Sequence, residues 1–97
     1  MIKIVYTQMG GIIGEVLVES NEILALKNPR IMQMIQTEEG KVKVNIVPML
    51  GQPKYFEIDR GTMNYDVNDE KLINAYKENV SVVSSLRTTA LVDVSGE

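Results

Sequence analysis

The chain has no cysteine, no histidine and no tryptophan among its 97 residues. Without cysteine neither a disulfide framework nor a thiolate metal site can form, and nothing marks the chain for an oxidising compartment. Without histidine it lacks the side chain that most often serves as general base, proton shuttle or metal ligand near neutral pH. Aromatic residues are scarce, four tyrosines and one phenylalanine, so the core has to be built from Ile, Val, Leu and Met. No apolar run approaches the roughly 20 residues that a membrane-spanning helix needs, and the N-terminus has no signal-peptide pattern. The expectation is a cytoplasmic protein without a membrane partner.

An apolar share of 44% and a charged share of 24% are ordinary for a folded domain, and the length suits one domain and not two. The net charge of -3 speaks against nucleic acid until its distribution is considered. Between residues 24 and 63, Lys27, Arg30, Lys41, Lys43, Lys54 and Arg60 outnumber Glu38, Glu39, Glu57 and Asp59. Both ends are acidic, so the middle is the place to look for a polyanion site.

The pattern predicts strands over residues 2–7 and 12–19, the second interrupted by Gly14, which points to a bend, a bulge or a close backbone approach. A third strand over 23–27 stops at Asn28-Pro29, because proline donates no ladder hydrogen bond and restricts the residue before it. Residues 30–36 resume the extended pattern, and Glu38-Glu39-Gly40 makes the turn to the clearest strand. There Lys41, Lys43 and Asn45 alternate with Val42, Val44 and Ile46, one face wet and the other buried. Tyr55–Ile58 and Met63–Val67 read as one strand bent at Arg60-Gly61 or as two short ones. A helix over about 69–80 follows, capped by Asn68, with Leu72, Ile73, Tyr76 and Val80 as its apolar stripe. Ser84-Ser85 breaks the chain, and residues 84–97 form a disordered tail or an edge strand around Thr88–Val94. The fold class is mainly β: a small, strongly curved barrel or sandwich with one C-terminal helix.

Catalytic equipment is missing. Glu38-Glu39 reads as a turn and Asp69-Glu70 as a helix first turn, and Ser84-Ser85 has neither base nor nucleophile elbow. Gly10-Gly11-Ile12-Ile13-Gly14 lacks the lysine and the following helix of a phosphate loop. The reading is not an enzyme, with no cofactor and no metal. Tyr55 and Phe56 between Lys54 and Arg60 fit base stacking with phosphate contact, although alternation lets only one ring face outward. Met32, Met34 and Met49 read as core.

From Met1 to about Val83 the chain resembles a family of small proteins of tailed cyanobacterial phages and marine metagenomes. The resemblance is carried by Met1-Ile2-Lys3-Ile4-Val5, Leu26-Lys27-Asn28-Pro29-Arg30-Ile31, Val47-Pro48-Met49-Leu50, Phe56-Glu57-Ile58 and Asp69-Glu70-Lys71-Leu72-Ile73-Asn74-Ala75-Tyr76. It implies a bent five-stranded Sm-like barrel over residues 1–83 that assembles into a homo-oligomeric ring and binds RNA or single-stranded DNA. Arg60-Gly61 occupies the place of the Arg-Gly pair in the second Sm motif, whereas the first motif's Asp and Asn have no counterpart around Ser20–Leu26. Under this reading Lys27, Asn28, Arg30, Tyr55, Arg60 and Gly61 contact the nucleic acid. The alternative is a structural or adaptor protein of phage assembly or host takeover that acts through protein contacts.

Overall fold

The structure, a computed structural model, describes residues 1–37, 40–81 and 87–93. Strands β1 (Ile2–Thr7), β2 (Gly10–Glu19), β3 (Ile23–Gln36), β4 (Lys41–Pro48), β5 (Tyr55–Asp59) and β6 (Asn64–Asp66) precede helix α1 (Glu70–Ser81), and β7 (Thr88–Asp93) follows it. The fold is mainly β with one helix. All pairings are antiparallel, and the sheet runs β6-β1-β2-β3-β4-β7 with β5 also on β3. It has seven strands where five were expected, and among the described residues it is not closed on itself.

Asn28-Pro29 does not end a strand. β3 passes through it as one element of 14 residues. Opposite, Ile13 pairs Arg30 and Glu15 pairs Lys27, so two residues of β3 face Gly14 alone. This bulge absorbs the proline without breaking the ladder on either side. It also divides the far edge of β3: residues 23–27 pair β5, and residues 30–36 pair β4. Asn28 takes φ +53°, a left-handed conformation that asparagine tolerates better than most residues. Gly14 is required by proximity, since a Cβ there would sit 2.9 Å from Leu26 Cβ.

Two apolar clusters flank the sheet. Ile12 and Ile13 are neighbours, both fully buried, and alternation sends them to opposite faces. On one face Ile13, Met32, Val44, Ile46 and Ala90 pack against Leu72, Ala75 and Tyr76 of α1. On the other, Val5, Ile12, Leu24, Leu26 and Met49 gather Phe56 and Ile58. Val5 of β1 and Phe56 of β5 share this cluster although two strands separate them, so the sheet buries that face by curling.

The helix begins one residue later than the cap expected at Asn68. Asp69 is the cap: its carboxylate accepts the Leu72 N–H at 3.1 Å, and its carbonyl accepts the Ile73 N–H at 3.0 Å. The buried stripe is Leu72, Ala75, Tyr76 and Asn79, with Ile73 and Val80 at its margins. Residues 88–93 form an edge strand on β4, whereas Glu38, Glu39, Ser84, Ser85 and the end of the chain from 94 lie outside the described residues. β7 also changes the face of β4 expected to be wet. Asn45 is buried, and its Oδ1 accepts the Thr89 hydroxyl at 2.9 Å.

Candidate functional site

Of the six residues singled out in the sequence, the fold brings Lys27 and Tyr55 together. They are direct cross-strand partners on β3 and β5, both exposed, on the face opposite Phe56. Tyr55 is therefore the outward ring and Phe56 the core ring. Lys27 is also opposite Glu15 of β2, and the outward positions of β5 after Tyr55 are Glu57 and Asp59. The ring and its lysine thus sit in an acidic surround, which opposes phosphate approach.

Asn28 lies at the bulge with its carbonyl turned to the helix. The Tyr76 hydroxyl is 3.0 Å from both the Lys27 and the Asn28 carbonyl oxygens, sharing its single proton between them. Burial pushes the Tyr76 phenol up to about 12, helped by the Glu15 carboxylate and opposed by a backbone hydrogen bond at Glu15 and by the charge of Arg30. This hydroxyl fastens α1 to the point where β3 changes partners.

Arg30 belongs to the same fastening. Its Nε donates to Asn79 Oδ1 at 2.7 Å, and its Nη1 donates to the Pro29 carbonyl at 3.0 Å. Asn79 in turn donates to the Ile46 carbonyl at 2.9 Å and reaches the Thr88 hydroxyl, which donates to the Ala75 carbonyl at 2.7 Å. Asn79 has no place in the apolar stripe of Leu72, Ile73, Tyr76 and Val80 expected for the helix, yet it is buried. Its position three residues after Tyr76 on the buried stripe was the available signal.

Arg60 and Gly61 stand in the turn between β5 and β6. The Arg60 guanidinium pairs with Glu19, its backbone N–H donates to the Glu22 carbonyl, and Gly61 N–H donates to Asp59 Oδ1 at 2.8 Å. Arg30 and Arg60 are thus committed to contacts within the fold, at opposite ends of the β3–β5 unit.

An apolar groove opens on the helix face beyond Leu72, lined by Ile4, Tyr6, Met32, Met34, Val42, Val44 and Leu72, with a volume near 190 Å³. The Tyr6 ring meets Tyr65 edge-on at 5.8 Å. Met32 is core as expected, but Met34 is half-exposed at 51%. Gly11 makes the floor, because a side chain there would crowd Met32 and Tyr6. Among the described residues no cluster of metal-binding side chains occurs, and no helix is long and apolar enough to cross a membrane.

Compared with known proteins, the chain matches no family model, no curated protein and no solved structure.

Proposed function

We propose that the chain is a self-assembling Sm-like module that binds RNA or single-stranded DNA in nucleic-acid processing. The observation that carries this reading is a pair of open strand edges on either side of Arg60-Gly61. β5 pairs only β3 and β6 pairs only β1 among the described residues. Open edges of this kind are templates for strand addition by another chain. The two edges differ, so joining one to the other is head-to-tail, the arrangement that closes into rings.

The strand order supports the same reading. β4 and β5 are consecutive segments on one edge of β3 and count as one interrupted strand; β6, after Arg60-Gly61, returns to β1. Five positions follow, β6, β1, β2, β3 and the β4/β5 pair, with β7 as an addition outside them. Ring symmetry would repeat a weak cationic site many times over, offsetting the acidity of the single chain.

Light scattering on a sizing column, with and without mixed-sequence single-stranded oligonucleotides, tests both halves. A discrete oligomer that binds in a salt-sensitive manner supports the reading; a monomer that ignores the oligonucleotides removes it.

The second reading, an adaptor that acts through protein contacts, is favoured by the groove beside Leu72 and the exposed Met34, Met63 and Tyr65 near it. Replacing Met34 and Tyr65 by serine would then weaken partner capture without changing oligonucleotide binding.

A further inference from the structure

The cations read from the sequence as nucleic-acid ligands are largely spent inside the fold. Arg30 holds Asn79, Arg60 holds Glu19, and Lys27 lies beside Glu15 in an acidic surround. Two other lysines stand differently. In β4, Val44 and Ile46 point into the helix-side cluster with Val42 packed against it, so the alternate positions Lys41, Lys43 and Asn45 share the opposite face. Registration sets Lys43 beside Ile35 of β3, and Asn45 between Gln33 of β3 and Thr89 of β7. The Thr89–Asn45 hydrogen bond confirms that these side chains lie on one side.

This face carries Lys41, Lys43, Gln33, Asn45, Thr89 and the half-exposed Ile35. No carboxylate belongs to it among the described side chains: residues 30–36, 41–48 and 88–90 contain none. Asp93 stands opposite Lys41 in register at the end of β7, and Glu38 and Glu39, in the connection from β3 to β4, lie outside the described residues. Neither lysine forms an ion pair among the described residues, and both are half-buried, so their stems lie along the sheet with their ammonium groups free to meet an anion.

We infer that the outer face of β3, β4 and β7 is the nucleic-acid platform, with Lys41 and Lys43 on phosphates, Gln33 and Thr89 toward base edges, and Ile35 against the sugar and base. The occupant is a single strand, because the platform is a sheet surface of polar side chains whose cations follow one strand at alternate positions. The inference rests on the nucleic-acid reading above and moves its site away from Lys27, Arg30 and Arg60.

The test compares Lys41→Gln/Lys43→Gln with Lys27→Gln/Lys54→Gln in the full chain, by fluorescence anisotropy against short mixed-sequence RNA and DNA strands over a salt series. The platform pair should lose about tenfold or more in affinity and flatten the slope of log K against log salt by about 1.4, two single-strand phosphate contacts. The Lys27/Lys54 pair should stay within about twofold of the parent. Equal losses in the two pairs, or none in the platform pair, would sink the platform while leaving nucleic-acid binding intact. Absence of binding by the unaltered chain would remove the broader reading as well. As a check that needs no variant, bound oligonucleotide should shield Lys41 and Lys43 from acetylation and leave Lys27 and Lys54 reactive; the reverse pattern overturns the assignment.

Discussion

Arg30 Nε donates to Asn79 Oδ1 at 2.7 Å, joining the bulge of β3 to the last turn of α1. The same amide donates to the Ile46 carbonyl of β4, so one buried side chain holds two strands and the helix. Replacing Asn79 by leucine keeps the branched shape, at a larger volume, but strands the Arg30 Nε–H and the Ile46 carbonyl. The expected loss is about 2–4 kcal/mol in chemical denaturation, above that of a surface helix substitution. Arg30→Ala should also destabilise, and the folded fraction should bind oligonucleotide as the parent does.

Tyr76 gives the fold a pH dependence of defined sign. Burial pushes its phenol up to about 12 in the folded chain from the ordinary 10.0 of an exposed tyrosine. The raised value means that the neutral form is the one stabilised by folding. That contribution is complete below pH 10, falls as the unfolded chain alone releases the proton, and is gone above pH 12. The drop should amount to about 2–3 kcal/mol. Tyr76→Phe costs about 1 kcal/mol near neutrality for the lost hydrogen bond and flattens this alkaline decline. Denaturation curves of the two chains across the alkaline range separate the tyrosine from the lysines, whose titration both chains share.

Much of the architecture was legible from residue order. The limits of β1 agree with the pattern of residues 2–7, and the helix lies within one residue of its expected span. What failed did so for tertiary reasons. Asn28-Pro29 reads as a stop because the ladder needs N–H groups, but a facing glycine in β2 gave it room to become a bulge. Asn45 reads as wet because alternation is local, and only the pairing of β7, about 45 residues away, buries it. The candidate site suffered more. A list of cations does not record which of them Glu19 and Asn79 will consume, nor that Lys41 and Lys43 will be left on a face free of described carboxylates.

Two glycines of β2 should respond differently to alanine. At Gly14 the new methyl would sit 2.9 Å from Leu26 Cβ and 3.3 Å from the Lys27 carbonyl oxygen, both parts of the β3 framework. Neither can yield without moving the strand, so Gly14→Ala should cost about 2–3 kcal/mol. At Gly11 the nearest atoms are Met32 Cε at 3.2 Å and Tyr6 Cε1 at 3.4 Å, ends of side chains that can swing. Gly11→Ala should cost less than about 1 kcal/mol and partly fill the groove. Equal thermal shifts for the two would show that the bulge is softer than its contacts imply.

The assembly reading can be separated from the integrity of the fold with one residue. The Asn28 N–H donates to the Lys54 carbonyl and the Arg60 N–H to the Glu22 carbonyl. Backbone groups of an antiparallel strand alternate in direction, so Phe56 and Ile58 also face β3 while Tyr55 and Glu57 present theirs to the open edge. Proline at Glu57 therefore deletes a donor from the open edge and leaves the β3–β5 ladder with its donors. A ring built on that edge should fall to monomers in Glu57→Pro, with circular dichroism close to the parent and a stability loss of about 1–2 kcal/mol from the constrained φ. Glu57→Ala, which keeps the N–H, should assemble as the parent does. If light scattering finds the same oligomer in both variants, β5 is not the joining edge, and the weight shifts to the side of β7 away from β4, which has no strand partner among the described residues.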